Sequence, residues 1–145
     1  MIALLQRVLE ARVMVAGAEV GAIGPGLLAF IGVRPEDGAD NPRRLVERLL
    51  SYRVFADGAG RMNRSLADTA GGLLLVPQFT LAADTTKGTR PSFSSAAPPE
   101  QASALFEAAV AHAMSRHERV ATGRFGADMV VHLINDGPVT FWLDA

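Results

Sequence analysis

Cysteine is missing from this chain altogether. Its absence excludes disulfides, thiolate zinc sites and cysteine nucleophiles together. Lysine is nearly missing too: of 14 basic residues all but Lys87 are arginine. Charge of either sign is scarce, at 20% of residues, and 14 basic against 15 acidic side chains leave a formal net charge of -1. Proteins that grip long stretches of nucleic acid carry a basic face. This balance argues against extensive duplex binding, DNA included, yet permits contact with a short nucleic-acid end. Long hydrophobic runs are also missing. The longest, such as Gly26 to Val33, fall well short of the roughly 20 residues that cross a bilayer, so no membrane segment is expected. Met1 to Arg7 enter a strand pattern without the successive basic, apolar and small-residue regions of a signal peptide. A cytoplasmic protein is the expectation.

The usual hydrolytic machinery is equally thin. His112, His117 and His132 stand apart, and none falls at metal-ligand spacing from another histidine or an acid. Gly24-Pro25-Gly26 lacks the lysine and helix start of a phosphate loop. No serine sits in a nucleophile-elbow pattern, and the acids are scattered singly. No metal and no cofactor is expected.

What is present is apolar material, 49% of 145 residues, enough for one domain spanning 1–145. Ile2 to Leu9, Ala11 to Val15 and Val20 to Ile23 read as strands, with a turn at Ala16-Gly17-Ala18. Leu27 to Val33 is a short apolar run that suits a buried strand. Asn41 as N-cap and Pro42 at the first helical position open a helix carrying Leu45, Val46, Leu49 and Leu50. Tyr52 to Phe55 alternates, and Asp57 to Gly60 turns the chain. Gly72 to Leu81 reads as a further strand with Pro77 inside it, and Ala82 to Ala97 as a long loop. Pro98-Pro99-Glu100 opens a second helix with an apolar stripe of Ala102, Leu105, Phe106, Ala109 and Ala113. Two more strands are expected after Gly123. The fold class is α/β: one compact, strand-rich domain with a mixed sheet and two main helices.

Two segments carry polarity that such a core does not need. In Val76-Pro77-Gln78-Phe79-Thr80-Leu81, Gln78 and Thr80 lie two apart and would share one face of a strand. Alone, that is an amphipathic edge strand. In Asn135-Asp136-Gly137-Pro138-Val139-Thr140, glycine and proline interrupt a strand-like run between Met129 and Leu143. Alone, that is a tight turn between the last two strands.

Together they resemble the two signatures of the D-aminoacyl-tRNA deacylases, S-Q-x-T-L and N-x-G-P-V-T. The resemblance spans the chain and includes Met1 to Val8, Gly88-Thr89-Arg90-Pro91-Ser92-Phe93 and Phe125-Gly126-Ala127-Asp128-Met129. It implies the deacylase-family fold with a barrel-like core. The implied activity is hydrolysis of the ester between a D-amino acid, or glycine, and the terminal ribose of tRNA. It further implies a metal-free homodimer whose active site lies at the subunit interface. Gly137 and Pro138, with Asn135, would be a chiral gate entering the partner's pocket. Pro77, Gln78 and Thr80 would line that pocket, with catalysis assigned to Gln78, Phe79 and Thr80. One departure stands out: Pro77 replaces the family's usual serine. A related group with P-Q-x-T-L and a trans Gly-Pro bond removes L-alanine from mischarged tRNA, so that reading stands as the alternative. A non-catalytic module binding RNA ends is a third.

Overall fold

The computed structural model describes residues 1–145. Its organising element is β1, which runs unbroken from Ile2 to Val15. The expected interruption near Glu10 does not occur. A second long strand, β8 (Val130–Asp144), pairs antiparallel along nearly its whole length, from Ile2 opposite Asp144 to Met14 opposite Val130. On its other side β1 pairs with β3 (Gly26–Gly32) and then with β2 (Ala18–Ile23), both antiparallel. A short strand pair, β4 (Phe55–Ala56) with β5 (Met62–Arg64), stands apart from this sheet. β3 continues in parallel to β6 (Gly72–Pro77), and β6 in parallel to β7 (Val120–Thr122). A methyl group placed on Gly21 of β2 would lie 2.4 Å from the Thr122 carbonyl oxygen of β7. The two ends of the sheet therefore meet at backbone distance, and the mixed sheet nearly closes on itself.

The apolar runs of β3 and β6 are continuous because both faces are covered. Leu27, Ala29 and Ile31 of β3, with Leu73 and Leu75 of β6, point into the main core. Leu28, Leu74 and Val76 point the other way and join Val8, Ala11 and Val13 in a second cluster. Alternation along a strand produces this division. The main core is covered by α1 (Asn41–Ser51), which buries Leu45, Val46, Leu49 and Leu50, and by α3 (Pro99–Arg116), which buries Ala102, Phe106, Ala109 and Ala113. At their outer edge His112 Nε2 lies 2.9 Å from Glu47 Oε1. That hydrogen bond holds the Glu47 carboxyl below the usual carboxylate range. A one-turn helix, α2 (Leu66–Thr69), is closed by a capping box between Ser65 and Asp68. No helix is long and apolar enough to cross a membrane.

Several local expectations need correction. Asp40, not Asn41, is the N-cap of α1, and it makes no side-chain cap. Asn41 Oδ1 instead accepts from Gly38 N at 2.8 Å, while its Nδ2 donates to the Ala145 carbonyl at 2.8 Å. The alternation at Tyr52 to Phe55 yields only the two-residue β4, because Val54 turns into the core. β6 ends at Pro77, and residues Phe79–Ala82 form a 3₁₀ turn, so Gln78 and Thr80 do not share a strand face. Pro77 falls where the β7 ladder has already stopped, at Leu75, so its missing N–H costs no pairing on that side. After Gly123 there is one strand, β8, where two were expected, because the long pairing with β1 carries the chain through Gly137-Pro138.

Gly26 and Gly72 are register partners at the start of the parallel pair. A methyl group on Gly26 would lie 2.0 Å from the Gly72 carbonyl oxygen, and backbone cannot give way there as a side chain can. Gly26→Ala is expected to lower stability by about 3 kcal/mol, read from the urea midpoint. An unchanged midpoint would contradict this account of the strand pair.

Candidate active site

The chain leaves β6 at Pro77 and turns at once into the 3₁₀ segment. Gln78 N still donates to the Ile31 carbonyl at 2.7 Å, so the start of the turn is pinned to β3. Beyond it the first N–H groups of the turn, those of Phe79 and Thr80, have no acceptor within the turn. Gln78 Nε2 donates to Thr80 Oγ1 at 2.5 Å. The Thr80 hydroxyl accepts that bond and keeps its own proton to donate. Phe79 and Thr80 are exposed, Gln78 is half-buried and Pro77 is buried.

Beside this turn lies a cavity of about 440 Å³. Pro77, Gln78 and Phe79 form one side, and Ala102, Phe125 and Met129 contribute apolar surface. The block from Phe125 to Met129 was legible only as part of a whole-chain likeness, since nothing in its local pattern marks a cavity wall. No three of the His, Asp and Glu side chains come together as a metal-ligating group. The carboxylates with clearly lowered pKa values are held by structural bonds. Thr86 donates from its hydroxyl and its N–H to Asp84, and Asn63, Arg61 and Ala59 donate to Asp57. Ser65 donates to Asp68.

The second polar segment lies elsewhere. In the β1–β8 ladder Gln6 pairs with Thr140 and Val8 with Asn135, so four residues, Asp136 to Val139, bulge opposite the single residue Arg7. Side chains replace the missing ladder bonds. Asn135 Nδ2 donates to the Arg7 carbonyl at 3.0 Å and to the Val139 carbonyl at 3.2 Å. Arg7 reaches back with a guanidinium N–H donating to the Val54 carbonyl at 2.5 Å. Its Nε lies 2.8 Å from Asp136 Oδ2, an ion pair not aligned as a hydrogen bond. Gln6 Nε2 donates to Thr140 Oγ1 at 3.1 Å. Val139 is buried beneath, while Gly137 and Pro138 are exposed at the crest. Their peptide bond is cis. None of Asn135, Gly137 or Pro138 lines the cavity beside Phe79. Within one chain the two predicted halves of the site are therefore not brought together. Arg7 and Asp136, which frame the bulge, carry no local sequence signal because their partnership needs the strand pairing.

Known proteins resemble this chain over nearly its whole length. The profile described as D-Tyr-tRNA(Tyr) deacylase matches residues 4–144. The chain belongs to this family. A protein of Azotobacter vinelandii named D-aminoacyl-tRNA deacylase is 66% identical over 143 residues, covering 99% of each chain. A protein of the same name from Ectopseudomonas mendocina is 63% identical over 97% of each. Among solved structures, a c-Myc DNA Unwinding Element Binding Protein superposes with a TM-score of 0.95 at 36% identity, over 100% of this chain and 99% of that one. A probable eukaryotic D-amino acid tRNA deacylase superposes at 0.85 and 19% identity over 99% and 98%, a likeness of fold alone.

The bulge depends on two donors from one amide. Asn135→Asp would set a carboxylate against the Arg7 and Val139 carbonyls and leave both without a donor. A stability loss of about 1–3 kcal/mol is expected, with an unchanged far-ultraviolet circular dichroism spectrum. Wild-type stability would contradict the assignment of these bonds.

Proposed function

We propose that this chain hydrolyses the ester between a D-amino acid, or glycine, and the 3′-terminal ribose of tRNA, freeing mischarged tRNA in the cytoplasm. The relatives favour this over the L-alanyl-specific alternative that Pro77 raised. The aminoacyl end of the tRNA enters the cavity beside Phe79. The active unit is a homodimer in which Gly137 and Pro138 of the partner subunit close that cavity. The observation that carries the reading is the outward position of Gly137-Pro138: a braced, exposed crest that does not face its own cavity. The outer edge of β8 supports a second copy as the occupant. β8 pairs only with β1 and leaves Val130, Ile134 and Trp142 exposed along a 15-residue edge strand.

A D-residue and its L-mirror differ in the direction the side chain leaves Cα. A rigid backbone wall against that Cα excludes the L form by collision and never reads the side chain, so many D-residues are accepted. Glycine in the wall lets the backbone approach closely, since no Cβ intervenes. Hydrolysis then needs an oriented water and donors for the oxyanion. The free N–H groups of Phe79 and Thr80 are suited to the second task. The Thr80 hydroxyl, oriented by Gln78, positions the ester or the water, and the substrate's ribose 2′-OH assists. No base lies against Thr80 to make it a nucleophile, so it acts by position.

D-tyrosyl-tRNA should be cleaved and L-tyrosyl-tRNA spared; equal rates on both would overturn the proposal. Thr80→Ala should lower kcat by about 10²-fold, the scale of one lost donor at an oxyanion. Replacing His112, His117 or His132 by Gln should leave kcat within about twofold, whereas a large loss at any one would reveal a general base. A folded monomer made by Ile134→Arg with Trp142→Glu should be inactive, and an active monomer would remove the gate from the partner.

A further inference from the structure

Phe93 stands in the long polar loop and 45% of its surface meets solvent. The loop's neighbours are threonine, serine, glycine and proline, which need no aromatic ring. Phe93 packs against Phe79, itself 55% exposed, with ring centroids 5.1 Å apart and planes tilted by 55°. Phe79 is also a wall of the cavity. The two rings therefore run outward from the cavity along the surface.

The loop that holds Phe93 is anchored. Asp84 and Ser92 exchange backbone hydrogen bonds of 2.8 and 3.0 Å, closing a hairpin over 84–92. Ser95 Oγ donates to the Ala82 carbonyl at 2.6 Å, and Ala97 N to the Val33 carbonyl at 3.0 Å. The Asp84 carboxylate is turned into the hairpin, where it accepts from Thr86 N and Oγ1. The hairpin also carries Lys87, the chain's one lysine, and Arg90, both exposed and neither in an ion pair.

We infer that the Phe79–Phe93 pair, with Lys87 and Arg90, receives the single-stranded nucleotides that precede the terminal adenosine of the tRNA. The inference rests on the aminoacyl-tRNA reading given above. Sequence-tolerant binding of single strands combines aromatic faces for the bases with cations along the backbone, and both occur here beside the cavity. Continuity with the cavity selects the occupant. A strand whose last residue lies in the cavity must leave it past a wall, and Phe79 is a wall that continues into Phe93. Two unpaired cations also explain how a chain of net charge -1 holds a polyanion: the positive charge is local.

The test compares D-tyrosyl-tRNA with D-tyrosyl-adenosine, which ends at the cavity. Phe93→Leu keeps apolar bulk but removes the ring. It should raise KM for the tRNA about tenfold and leave kcat/KM on the adenosine ester within about twofold. Phe93→Tyr should behave as the wild type on both. Lys87→Ala with Arg90→Ala should lower the slope of log KM against log salt by about 1.4, on the tRNA only. Equal losses on both substrates would overturn the inference by making Phe93 part of the cavity. An unchanged KM for the tRNA would overturn it as well. So would dissociation of the dimer by Phe93→Leu in light scattering, since the rings would then be a contact between copies. Wild-type protein inactive on both esters would instead refute the hydrolytic reading itself.

Discussion

The pairing of β1 with β8 is the constraint on which the rest depends. It spans the sheet from Ile2–Asp144 to Met14–Val130, and its register shifts at two nearby places, opposite Arg7 and again at Leu9. At the first of these the chain has four residues where the ladder has room for one. The ladder bonds lost there are replaced by the Asn135 amide, and the Arg7 guanidinium ties the bulge to Asp136 and to the Val54 carbonyl. A glycine and a proline can thus stand exposed on a strand without loosening it. Antiparallel pairs flank the bulge on both sides, Gln6 with Thr140 and Val8 with Asn135, so the crest is held at a fixed height above the sheet.

The same sheet builds the other half of the site. β6 is fixed by β3 on one side and by β7 on the other, and its last residue is a proline that permits the turn at Gln78. The turn frees two N–H groups and sets Thr80 under the Gln78 amide. Thr80 has the Gln78 amide as its side-chain partner, and Arg7 and Asp136 at the bulge are paired with each other. The aminoacyl ester is already labile, so position and a pair of oriented donors form a sufficient apparatus. Exclusion of the wrong hand requires rigidity more than chemistry, and rigidity is what a braced bulge supplies.

Much of this was legible in the sequence, and the failures have physical causes. The apolar runs at Leu27 and Leu73 read directly as buried strands because both faces are covered. The stripes of α1 and α3 were visible because helical spacing is a local property. Gly137-Pro138 read as a turn because, over a few residues, that is what glycine and proline favour. The long partner strand overrides this preference, and a partner 130 residues away leaves no local trace. The face shared by Gln78 and Thr80 failed for the opposite reason: the strand ended at Pro77, and the two side chains met through a turn. The pairing of Arg7 with Asp136 left no trace in the sequence, because the contact exists only after the strands pair. The segments that mattered most were recognisable as signatures, while their geometry was not.

The central claim is that each active site joins one subunit's Thr80 with the other's Gly137-Pro138 crest. Mixing Thr80→Ala, which lacks the positioning hydroxyl, with Asn135→Asp, which lacks the bonds that brace the crest and is expected to lose most of its activity, and allowing subunits to exchange tests it most directly. A hybrid dimer then holds one site with both defects and one with neither. The account predicts that activity on D-tyrosyl-tRNA returns to about a quarter of the wild-type level after exchange at equal concentrations. A mixture that stays inactive, although hybrids are present by native mass spectrometry, would contradict it and place the crest and Thr80 in the same subunit's site.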